Sequence, residues 1–187
     1  MVPILDLWLP IVVSAVFVFF ASFIIHMVLG YHRSDFKPLP SEAEVMDALR
    51  RFSIPPGEYV VPHPGGPQGL KSPAYQEKLV RGPVFFATVI KSGPLTMGKQ
   101  LMQWFLFCVV VGILAAYVTG RAAGPGTEYL VIFRFAGTTA FIAYAVAQWS
   151  DTIWYKRSWV TTAKNTFDGL IYSLLTAGAF GWLWPAD

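Results

Sequence analysis

Three long segments of the chain are apolar and uncharged, and a fourth carries a single charge. The uncharged segments are residues 7–25, 101–120 and 169–186, and the fourth is residues 129–149, which contain Arg134. About 20 apolar residues allow a helix to cross the hydrocarbon core of a bilayer. The pattern therefore predicts four transmembrane helices, at residues 7–31, 100–120, 129–149 and 167–185.

The composition agrees with this pattern. Hydrophobic residues make up 55% of the 187 residues and charged residues only 13%, which is atypical of a soluble domain. We expect the first helix to be retained, because no basic region precedes it and no small-residue cleavage site follows it. The fold class predicted is an all-α integral membrane protein, a four-transmembrane-helix bundle with a small α+β cytoplasmic insert between helices 1 and 2.

The basic residues predict the orientation of the bundle. Nine of the 14 Lys and Arg residues lie in residues 33–99 and three in residues 156–164. By the positive-inside rule, residues 32–99 form a cytoplasmic module, residues 150–166 form a cytoplasmic interfacial loop, and both termini face outward. Topology explains the basic charge, so we predict no nucleic-acid partner.

Residues 32–99 have the patterns of a small ordered module. The stretch SEAEVMDALRRF predicts an amphipathic helix with a capping box formed by Ser41 and Glu44. A second helix is expected after Ser72, with Pro73 at its first position. The β-branched and aromatic run VFFATVI is expected to pair with EYVV. Such a module can bury little core, so we expect it to lean on the membrane or on a partner.

Small residues recur at helical spacing in three of the predicted spans. Helices associate in lipid through close backbone contact, which small residues permit. We therefore predict that these positions pack the bundle: Cys108, Gly112, Ala116, Gly120, Ala136, Ala140, Gly169, Ser173, Ala177 and Gly181.

Arg134 is the one basic residue within a predicted span, and an ionised side chain at that depth needs an anionic partner. Asp6 and Asp187 are the candidates on the outer side, because Glu128 faces another side of the same helix. We favour Asp6, as a structural clasp between the first and third helices. The alternative is that Arg134 binds an anionic lipid or substrate.

Asp168 and His26 are the other polar residues of interest. Asp168 follows Asn165 and Thr166, so we interpret it as a cap of the fourth helix. It would do chemistry only with a second titratable group at its depth, for which Asp151 and His26 are the candidates. The spacings of the three histidines match no common metal or haem pattern, so the sequence predicts no metal site and no cofactor; a bound lipid is compatible with the spans.

Three stretches carry a resemblance to a known family: SAVFVFFASFIIHMVLGYHRSDFKPLP, SGPLTMGKQLMQWFLF and FDGLIYSLLTAGAFGWLWP. Together they resemble a family of small four-helix bacterial inner-membrane proteins, which has no established activity. The resemblance implies a location in the bacterial inner membrane and transfers no catalytic residue.

The chain has no P-loop, GxSxG elbow or HExxH motif, and this favours a non-catalytic role. We expect an accessory or assembly subunit of a larger membrane complex, with membrane lipids and other membrane subunits as its partners. Two alternatives stay open. One is a small oligomeric transporter or channel, and the other is a membrane enzyme that acts on a lipid or a quinone.

Overall fold

The computed structural model describes residues 1–186, which are mostly helical. The N-terminal helical segment consists of a 3₁₀ turn, Ile4–Leu7, then α1, Trp8–Phe23, then a π-helical turn, Ile24–Leu29. Gly30 ends it in the left-handed conformation that glycine adopts without a steric penalty, with φ +65°. A short 3₁₀ turn, Tyr31–Ser34, follows at once.

The other long helices lie in the C-terminal half. They are α4, Gly98–Ala122, α5, Tyr129–Tyr144, and α7, Trp159–Trp182; the turn Val146–Gln148 and the short helix α6, Trp149–Tyr155, connect α5 to α7. Three segments are long and apolar enough to cross a membrane: Ile4–Leu29, Gly98–Ala122 and Tyr129–Tyr155. By length and composition, these three segments are compatible with a membrane protein.

The region predicted as an interfacial loop, residues 150–166, is largely helical. It holds most of α6 and the first residues of α7, which begins at Trp159 and not at residue 167. Ser158 explains the early start, because its side-chain oxygen accepts a hydrogen bond from the backbone N–H of Thr161.

Residues 37–95 form a compact unit of their own, separate from the unit formed by residues 1–36 with the chain from residue 96 onward. Its elements are α2, Glu42–Arg50, β1, Gly57–Val61, α3, Pro73–Arg81, and β2, Phe85–Val89. The two strands pair antiparallel, with Gly57 opposite Val89 and Val61 opposite Phe85.

The helix starts in this unit differ in their caps. Ser72 accepts a hydrogen bond from the backbone N–H of Tyr75, as a cap should. Ser41 instead has a left-handed backbone conformation, with φ 48°, and its side chain makes no cap hydrogen bond, so the predicted capping box is absent. The helix after Ser41 forms without it.

The helical bundle packs through its small residues. α7 lies against α5 and α1, and α4 lies against the same two helices. Nine of the ten predicted packing residues are buried, and Gly181 is half-buried. At Gly120 an added Cβ would lie 2.6 Å from the carbonyl oxygen of Val2, and at Gly169 it would lie 2.8 Å from the Cβ of Ala145. Only glycine fits contacts this close.

Candidate functional site

A cluster of polar side chains lies where the chain leaves the first helical segment and meets α7. Gly30 ends the helical segment there, and the 3₁₀ turn that follows places Tyr31 and His32 beside the α7 residue Asp168. Asp35, just after this turn, and Lys164, one helical turn before Asp168, complete the cluster. All five residues belong to the same compact unit.

His32 stands between two carboxylates. Its Nδ1 is 2.6 Å from Oδ2 of Asp35, and its Nε2 is 2.7 Å from Oδ2 of Asp168. The side chains are 12%, 8% and 4% exposed, respectively, so water screens these contacts little. The orientation of the imidazole ring is therefore set from both sides.

Lys164 holds the turn against α7. Its ammonium donates to the carbonyl oxygen of Tyr31 at 2.8 Å, to Oγ of Ser34 at 3.0 Å and to Oδ1 of Asp35 at 2.7 Å. Burial by itself would raise the pKa of Asp35, but the hydrogen bonds with Lys164 and His32 outweigh it and hold that pKa below its usual range. Asp35 is therefore an anion at neutral pH.

Tyr31 forms a hydrogen bond with the second carboxylate, that of Asp168. Its hydroxyl donates to Oδ1 of Asp168, and its ring centroid lies 4.4 Å from that of His32. Burial and then the hydrogen bond to Asp168 raise the pKa of Tyr31, so the phenol keeps its proton. Both oxygens of Asp168 thus have a partner.

His26 is a sixth side chain at this cluster. It is exposed, in the π-helical turn before Gly30, and its ring centroid lies 4.5 Å from that of His32. One ligand atom each from His26, His32 and Asp168 lies within 4.8 Å of the other two. Within residues 1–186, His26 makes no hydrogen bond, so its ring nitrogens are available to a ligand.

An aromatic group lies next to the cluster along α7. Tyr172, one helical turn beyond Asp168, packs against Tyr144 and Trp104 at centroid distances of 5.6 and 5.9 Å. The indole N–H of Trp104 donates to Ser22 at 2.8 Å. The hydroxyl of Tyr172 is buried and has no hydrogen-bond partner in the described part of the chain. A buried hydroxyl in this state is unusual in a folded protein.

The structure assigns Asp168 a different role from the one predicted. It does not cap a helix, because α7 begins at Trp159 and Asp168 lies in the helix interior, where its carboxylate bonds to Tyr31 and His32. His26, one of the two candidate titratable groups, does lie close to Asp168, with ligand atoms of the two side chains within 4.8 Å of each other. Asp151, the other candidate, is exposed.

Sequence reasoning missed four members of the cluster: Tyr31, His32, Asp35 and Lys164. The signal that could have found the first three is the local stretch GYHRSD, in which a glycine turn is followed by three hydrogen-bonding side chains within five residues. Nothing in the sequence around Lys164 indicates its contacts, because they join residues about 130 positions apart.

The predicted clasp between Arg134 and Asp6 does not form. Both side chains are exposed, and neither takes part in an ion pair within residues 1–186. The other candidate acid, Asp187, lies outside the described residues.

No protein-family model matches this chain, and no curated protein or solved structure matches it either.

Proposed function

We propose that this chain is a membrane protein that binds one divalent transition-metal ion through His26, His32 and Asp168. The observation that carries the proposal is the convergence of these three donor groups, with ligand atoms all within 4.8 Å of one another. Two imidazoles and a carboxylate form a ligand set that zinc and iron(II) sites in proteins use.

The distances suit an ion of this size. Two ligands at about 2.1 Å from a tetrahedral ion are about 3.4 Å apart, so the three donors need to shift by only about 1 Å to surround one. The contact of 2.7 Å between His32 and Asp168 would open slightly, and His26 would move inward.

The surroundings of the three residues support the same reading. Asp35 holds Nδ1 of His32, which leaves Nε2 for an ion; metal-binding histidines commonly have such a carboxylate behind them. The cluster holds two carboxylates, Asp35 and Asp168, and one ammonium, that of Lys164, which pairs with Asp35. Within residues 1–186, the carboxylate of Asp168 forms no ion pair with a Lys or Arg, and its negative charge favours a dication.

Three protein ligands leave a coordination position open for water or substrate, as in catalytic zinc sites. The ion would lie at the end of the first candidate span, Ile4–Leu29, where lipid headgroups are expected. Among the functions considered from the sequence, this placement favours a membrane enzyme that acts on a lipid or a quinone. A channel would need polar residues along the bilayer and not only at one end.

Metal titration of purified protein tests the proposal. We expect detergent-solubilised protein, stripped with EDTA, to bind one Zn²⁺ or Co²⁺ per chain, and Co²⁺ to give the strong visible absorption of a tetrahedral site. H26A should lose affinity at least about tenfold without a change in melting temperature, since the His26 side chain makes no hydrogen bond within the described residues. H63A is the matched control, because His63 lies in the separate unit of residues 37–95. Equal binding by wild type and H26A would refute the site.

We further propose that α7 is a fourth membrane crossing, in a bacterial inner membrane, with both termini on the periplasmic side. The 24 residues of α7 extend about 36 Å, longer than the hydrocarbon core, and α7 packs along α5 and α1. Reporter fusions at the C-terminus test this. We expect alkaline phosphatase to be active there and a fluorescent protein to be dark; the opposite pattern contradicts an even number of crossings with an outward N-terminus.

A second candidate function is the accessory or assembly subunit, and the unit of residues 37–95 favours it. No residue of this unit is buried, and Phe52 and Val80 are 73% and 89% exposed. A module without a buried core gains stability when another surface covers it. Native mass spectrometry after mild extraction should then retain a heterologous subunit at fixed stoichiometry, and deletion of residues 37–95 should release it. Retention of the subunit by the deletion variant would contradict this role for the module.

A further inference from the structure

An open groove of about 960 Å³ runs along the outer surface of α4 and α5. Its lining residues, among them Leu114 of α4 and Thr139 of α5, are apolar or threonine with one exception, Arg134. The hydroxyl of Thr139 already donates to the carbonyl oxygen of Phe135 at 2.8 Å. Arg134 is therefore the one charged group that the groove offers to a ligand.

The charge of Arg134 has no protein counterpart within residues 1–186. The residue lies in the candidate span Tyr129–Tyr155, five residues and about 7.5 Å from its start. An arginine side chain can reach the headgroup layer from this depth while its methylene groups stay in the apolar region. Placing a cation at this depth costs free energy unless an anion lies against it.

The geometry points to an anionic phospholipid in this groove, with its phosphate on the guanidinium of Arg134 and an acyl chain along the apolar lining. The planar guanidinium presents paired N–H donors that match phosphate oxygens. A transmembrane helix of a partner would have to bring its own carboxylate to the same depth, at a cost that a phosphate at the bilayer surface avoids. This inference is independent of the metal site, because none of the residues that line the groove belongs to the polar cluster around His32 and Asp168.

Competition between lipids in native mass spectrometry tests the inference. The protein in detergent is mixed with equal amounts of phosphatidylglycerol and phosphatidylcholine, and bound adducts are counted. We expect wild type to prefer the anionic lipid by about tenfold and R134Q to lose that preference. R121Q removes one positive charge near the end of α4, outside the groove lining, and should keep the preference.

Two further variants keep the test decisive. R134K retains the charge without the paired donors, so it should show an intermediate preference even if R134Q folds poorly. L114W fills the groove and should reduce the binding of both lipids. An undiminished lipid preference in R134Q or R134K would overturn the inference. It would also be overturned if wild type showed no lipid preference but retained a protein subunit that R134Q releases.

Discussion

Replacing Lys164 with methionine tests how the chain segment after the first helix is held against α7. Methionine keeps the length and much of the apolar contact of the lysine side chain but makes none of its three hydrogen bonds, to Tyr31, Ser34 and Asp35. It also leaves Asp35, 8% exposed, with only His32 as a partner. The cost is therefore that of breaking a half-buried charged contact, not that of losing a surface ion pair.

The magnitude follows from the contacts. Hydrogen bonds to charged groups contribute about 1.5–3 kcal/mol each in buried settings, and the lysine side chain is 21% exposed, so we take about 3 kcal/mol for the three together. For a protein of this size, that loss lowers the melting temperature by about 6–12 °C. The measurement is thermal unfolding in detergent, followed by tryptophan fluorescence, with EDTA present so that metal plays no part.

Arg157→Met is the matched control for Lys164→Met. Arg157 lies just before α7, is exposed, and forms no ion pair within residues 1–186. It loses the same formal charge and should shift the melting temperature by no more than about 1 °C, since exposed substitutions rarely exceed about 0.5 kcal/mol. Equal melting temperatures for the two variants would refute the reasoning, because the three hydrogen bonds would then contribute nothing that a removed surface charge does not.

Two further predictions use matched pairs of substitutions. Gly169→Ala places a methyl group 2.8 Å from the Cβ of Ala145 and should cost about 1–3 kcal/mol, whereas Gly178→Ala has its nearest neighbour at 3.9 Å and should be neutral or stabilising; thermal unfolding measures both, and the reverse order would contradict the packing. Ser72→Ala removes a helix cap and should cost the unit of residues 37–95 about 1 kcal/mol, whereas Ser41→Ala, which removes no cap bond, should cost much less. Hydrogen exchange at the two helix starts measures this difference, and equal exchange would contradict it.

The sequence by itself determined the apolar segments and the packing positions of the bundle. Hydropathy over 20 residues and small residues at helical spacing are local properties, so they do not depend on how the helices are arranged. Local pattern also predicted the short elements of residues 37–95: the cap at Ser72 marked one helix start, and β-branched and aromatic runs marked the strands Gly57–Val61 and Phe85–Val89.

Tertiary structure decided the polar site. His32 and Asp168 are 136 residues apart, and only the packing of the first helical segment beside α7 brings them to 2.7 Å. The sequence suggested a cap at Asp168 because a carboxylate after Asn and Thr suits a helix start; Ser158 begins the helix earlier and so frees that carboxylate for the site. The partner of a polar residue depends on which helix faces lie together, and that is a property of the assembled bundle and not of any one segment.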